Sequence, residues 1–192
     1  RVAAASLPPH YTGMTRAHLM TALAACVLAA ASFAPPARSA ELPPLPAFES
    51  PLERDHPLVG QVYDLAAGGP AEPAAVARAA AKARFVILGE RHDNPDHHAL
   101  QAWVLRAMTA QGRTPAVAFE MIDQSQAPAL ETYLNEHPRD AAGLGPAVEW
   151  EERGWPDWDS YRGIAEAALD AGLPILAANP SRAETRTVGR QG

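Results

Sequence analysis

Cysteine is almost missing from this chain: Cys26 is the only one among 192 residues. A lone cysteine excludes an intramolecular disulfide framework and argues against a thiol nucleophile. Aromatic residues are scarce too, at 6%, while alanine dominates the apolar fraction. Alanine favours helices but fills little volume, so the few bulky side chains mark the packed faces. No basic run exists, and 16 basic residues face 22 acidic ones. With no such run to neutralise phosphates, the sequence argues against nucleic acid as a partner. The longest apolar stretch, Leu19 to Ala34, falls short of the roughly 20 residues that a bilayer-spanning helix needs.

That stretch reads instead as part of an export signal. From Met14 come MTRAH, the apolar run and then PPARSA, the charged, hydrophobic and small-residue zones of a secretory signal. Met14 is therefore the expected start, and residues 1–13 read as doubtful coding sequence. Leu23-Ala24-Ala25-Cys26 resembles a bacterial lipobox, with Cys26 as the lipid anchor; a cut near Ala40 suits the length of the apolar run better. Both readings place the protein in the bacterial envelope, as a membrane-anchored lipoprotein or free in the periplasm. Residues 1–39 are the leader, 40–57 a proline-rich linker, and 58–192 a single domain. The leader carries three arginines and no acid, which leaves the remainder at a net charge of −9.

Strand and helix signals alternate through that domain. Leu58 to Leu65 reads as a strand ended by Gly68-Gly69-Pro70, and Pro73 opens a helix running to about Ala83. Arg84 to Leu88 (RFVIL) reads as a buried strand. Asn94 then caps a helix with Pro95 in its first turn, carrying Leu100, Trp103, Val104, Ala107 and Met108 at helical spacing and closed by Gly112. Ala116 to Met121 is a second core strand; Leu130, Tyr133 and Leu134 outline a helix stopped by Pro138, and Gly143 to Pro146 is a loop. Asp157 caps a helix that ends before Gly172, and Leu173 to Ala178 is a third core strand. Apolar strands linked by amphipathic helices imply an α/β fold with a mainly parallel sheet and flanking helices. After Asn179-Pro180 one more helix starts and no strand follows, so the sheet is expected to be incomplete at the carboxyl end.

Chemistry concentrates at Gly89 to His98, GERHDNPDHH. Gly89 allows a sharp exit from the preceding strand, and in an extended segment Glu90 and His92 share a side with Arg91 opposite. Asp93, Asn94 and Asp96 serve the helix start, while His97 and His98 sit in its first turn. Glu120 stands near the end of the next strand, where parallel pairing would bring it level with Glu90. Glu90, His92 and Glu120 could then hold a divalent metal or pair an acid with a base, which makes a metal-dependent hydrolase one reading. No HExxH helix of the zinc-protease type is present.

The segment Trp150 to Tyr161 (WEERGWPDWDSY) is the other candidate. Trp158 and Tyr161 fit a packed helix face, Trp150 and Trp155 fit it less well, and Tyr161 could offer an oxygen donor to iron.

The run FVILGERHDNPDHHALQ, then VAFEM, GWPDWDSY and GLPILAAN, resembles the ChaN family of bacterial haem-binding, iron-regulated lipoproteins, related to the Tiki, TraB and erythromycin-esterase group. The resemblance spans His56 to Arg182. It implies an α/β fold with a helical insertion, an envelope location, and haem bound by a pair of identical chains without catalytic turnover. Gly89, Glu90 and His92 match the group's GExH site motif. Its members are longer, which again implies a chain truncated at the carboxyl end. The candidate ligand-binding set is Gly89, Glu90, His92, Asp93, His97, His98, Glu120 and Tyr161, with His92, Glu90 and Glu120 as the metal set.

Overall fold

Proline and small polar caps decide where the helices of this protein begin. The computed structural model describes residues 41–191; the readings of the leader, lipobox and cleavage site lie outside them. Pro73 opens α1 (Pro73–Lys82). Asn94 accepts a hydrogen bond from the Asp96 amide and Pro95 fills the first position of α2 (Pro95–Ala110). Asp157 caps α5 (Trp158–Asp170) through the Asp159 amide. The helices α3 (Ala127–Glu136) and α4 (Leu144–Ala147) precede α5, and α6 (Arg182–Gln191) follows the last strand. The expected loop at Gly143 to Pro146 is thus in part a short helix. Its Gly145 lies against Trp158 so closely that a side chain would not fit.

Four strands are described. β1 (Val62–Asp64) and β2 (Gly69–Ala71) form an antiparallel hairpin, so Gly68-Gly69-Pro70 turns the chain into a second strand rather than ending the first. β3 (Val117–Asp123) and β4 (Ile175–Asn179) pair in parallel, Val117 opposite Ile175 and Phe119 opposite Ala177. The α/β class holds, with a small parallel sheet. Between Phe119 and Asp123 the register slips, because β3 spends four residues where β4 spends two. The bulge leaves the carbonyls of Glu120 and Met121 facing side chains, and Asn179 and Trp155 donate to them.

The expected strand Arg84 to Leu88 is overturned. Among the described residues it pairs with no strand, and Phe85 and Ile87 are 76% and 94% exposed. An apolar run becomes a buried strand only when a neighbour supplies its ladder. Here side chains serve the flanking carbonyls instead, Arg113 that of Ala83 and Gln101 that of Leu88.

The core has two parts. β3, β4, α3, α4 and α5 enclose Phe119, Ile122, Leu130, Leu144, Trp150, Trp158 and Ile175. α2 is apolar on two faces and is covered on both sides, by α5 and by α1, the latter burying Ala77 and Ala80 against Trp103 and Val104. The sheet is covered on one face only, since Ala118, Glu120, Leu176 and Ala178 are exposed. The proline-rich residues 41–57 form no helix or strand, and they are fastened to the domain: Pro43 accepts a hydrogen bond from the Trp103 indole and Leu42 packs on the second cluster. No helix among the described residues is long and apolar enough to cross a membrane.

Candidate ligand site at Glu90

Gly89 and Glu90 leave the irregular segment that follows α1, and α2 begins five residues later. That short excursion puts the Glu90 carboxylate between the first turn of α2 and the first turns of α5. Three groups converge on it. Tyr161 on α5 donates its hydroxyl to Oε1 at 2.7 Å, His92 Nδ1 lies 2.7 Å from the same oxygen, and His98 Nε2 lies 2.8 Å from Oε2. The last contact is skewed, so the atoms touch without an aligned hydrogen bond. The Glu90 side chain is 9% exposed and that of His98 1%, whereas His92 is half exposed.

Aromatic rings form the rear wall. The His98 ring lies over Tyr161, centroids 3.8 Å apart, and Trp150 meets Tyr161 at 4.8 Å. Trp150 is fixed by donating to the Pro156 carbonyl, and Trp155 by donating to the Met121 carbonyl freed by the bulge. Trp155 meets His92 edge-on at 5.2 Å, so the slip in β3 places an indole beside the most accessible imidazole.

The network sets protonation states. A carboxylate can only accept, so the His92 nitrogen facing Glu90, Nδ1, is the one that carries a proton. His97 is the opposite tautomer, because its Nδ1 accepts from the Arg91 amide at 2.8 Å. Burial lowers the pKa of His98 against the opposing pull of Glu90, so the ring is neutral. Burial, then the hydrogen bond to Glu90, raises the pKa of Tyr161 far above the ordinary phenol value, so it stays protonated.

Glu90 and His92 share a side as expected, with Arg91 turned away to pair with Asp93 at 3.5 Å in solvent. Glu120 does not join them. It projects from the exposed face of β3, away from every hydrogen bond and ion pair of the cluster. The reason is the absent strand pairing at Arg84 to Leu88, which was to have aligned the two carboxylates. Among the described residues no group of three or more His, Cys, Asp or Glu is arranged to hold a metal ion, and the hydrolase reading is not favoured. His98 sits in the first turn of α2 as expected, and that position is buried. Trp155, whose spacing misses the α5 face, is explained by its contact with His92.

Two segments far apart in the sequence of an α/β fold meet here, and a largely buried carboxylate is shared by two imidazoles and a phenol. The chain belongs to the family described as haem-binding uptake, Tiki superfamily, ChaN, which matches residues 76–192 and so includes the whole cluster. A solved structure of ChaN of Campylobacter jejuni, described as showing cofacial haem binding, shares the fold: the TM-score is 0.58 at 23% identity, over 69% of this chain. The match covers 53% of that chain, so this sequence spans about half the length of that relative. No curated protein matches it.

Proposed function

We propose that this chain binds haem in the bacterial envelope and supports haem and iron acquisition by holding or passing on the group, without catalytic turnover. The observation that carries the reading is the family match across residues 76–192, which contains Glu90, His92, His98, Trp155 and Tyr161 together. The donor set fits the group. Haem, when bound, would supply an iron that accepts a nitrogen or oxygen donor from the protein. His92 presents a half-exposed imidazole, held by Glu90 and flanked by the Trp155 ring, while Tyr161 is fully buried with its hydroxyl on Glu90.

Residence in the periplasm or a lipid anchor at Cys26, and pairing of two identical chains around haem, belong to the same proposal. They are supported by the sequence of the leader and by the cofacial haem binding described for the Campylobacter relative.

Haem titration of the purified protein tests the reading. A saturable, shifted visible band at micromolar protein is expected, with sedimentation showing whether mass doubles on loading. Absence of any spectral shift would sink it.

A further inference from the structure

We infer that Asp96 is a positioning residue of this site, a clamp through which the segment 41–50 holds the first turn of α2 and keeps His98 against Glu90. The inference rests on the haem-binding reading for its purpose but not for its geometry.

Asp96 has an unusual set of partners for a helix N-terminal acid. Its own amide is held by the Asn94 side chain at 3.0 Å, which caps the helix without help from the Asp96 carboxylate. The carboxylate is turned away from the helix and takes two backbone amides of the preceding segment, Glu49 at 2.6 Å through one oxygen and Ser50 at 3.1 Å through the other. Two consecutive amides on one carboxylate form a charge-assisted fork, which fixes direction as well as distance. Two turns further along, the Trp103 indole donates to Pro43, and Leu42 packs beside it. The segment is therefore fastened to α2 at both ends. Its prolines suit this role, because an extended strap with little conformational freedom loses little entropy when docked.

The fastening point adjoins the site. His97 and His98 follow Asp96 directly, and His98 has no aligned hydrogen bond to keep it in place. What holds its ring is the stack on Tyr161 and the position of the first turn itself. A first turn normally frays, and the strap opposes that here. Release of the strap would leave His98 free to leave Glu90, whose Oε2 then has no other contact.

The test compares Asp96→Ala with Asp96→Asn in the whole chain. Asparagine can accept from one of the two amides and presents a donor to the other, so its effect should fall between wild type and alanine. The expected result for Asp96→Ala is faster proteolysis within 41–57, by about tenfold, a changed His98 imidazole signal in nitrogen NMR, and weaker haem binding. Leu130→Val, a core truncation remote from the strap, is the control; it should lower stability without moving the His98 signal. An unchanged His98 signal in Asp96→Ala, with the strap cleaved faster, would overturn the positioning role while leaving haem binding intact. Equal signal changes in Leu130→Val would overturn it as well, by showing a general loss of stability. Wild-type protein that takes up no haem would refute the functional reading, and the apo measurements would still decide the clamp.

Discussion

Removing a single oxygen tests whether the Glu90 cluster is a coupled polar network or an accident of packing. Tyr161→Phe deletes the hydroxyl that donates to Glu90 at 2.7 Å and leaves the ring between His98 and Trp150. Tyr161 is fully buried, which limits the access of water to the place its hydroxyl would leave. A hydrogen bond to a charged acceptor contributes about 1.5–3 kcal/mol, and Glu90 Oε1 retains only His92. With a urea m-value of about 2 kcal/mol/M, the midpoint should fall by about 1 M with m unchanged. Tyr161→Ala removes the ring as well and should cost about 3–5 kcal/mol, because the surrounding rings cannot collapse into the space. The ratio of the two separates the hydroxyl from the ring. A midpoint shift in Tyr161→Phe below about 0.2 M, alongside the full loss in Tyr161→Ala, would refute the network and leave a stacking core.

Other consequences can be checked separately. Gly145→Ala should destabilise by at least about 1–3 kcal/mol, since its Cβ would clash with the Trp158 ring; an unchanged thermal midpoint would mean that α4 is not packed there. His98 is buried neutral with its pKa below 6.5, so the unfolded chain takes the proton first as pH falls. Stability from the neutral ring is complete above pH 6.5 and declines as pH drops through that value toward the lower folded pKa. Thermal midpoints measured between neutral and mildly acidic pH should slope less in His98→Gln than in wild type, and parallel slopes would contradict the assignment. Asn94→Ala should cost about 1 kcal/mol through the lost cap of α2, read from the urea midpoint.

Local chemistry was legible in the sequence wherever one or two residues decide the structure. Asn94-Pro95, Asp157, Gly112 and Gly172 announce helix ends, and the structure obeys them because a cap satisfies its own neighbours without needing the rest of the fold. The pairing of Glu90 with His92 was legible for the same reason, being set by two-residue spacing in an extended segment. What depended on strand neighbours was not. RFVIL carries every local mark of a core strand, yet burial is conferred by a partner, and the same missing pairing misplaced Glu120. The depth of His98 was hidden because α2 is covered on two sides, so no single apolar stripe marks its buried face.

The open run from Phe85 to Leu88 also bears on how the protein behaves in solution. A run of Phe, Val, Ile and Leu that pairs with no strand among the described residues is a place where another chain could add its backbone. Arg84, whose guanidinium lies over the Phe85 ring at 5.1 Å, is the nearest charge able to interrupt such stacking. Arg84→Ala should therefore raise the tendency of the protein to self-associate at high concentration, read by light scattering, without moving the thermal midpoint.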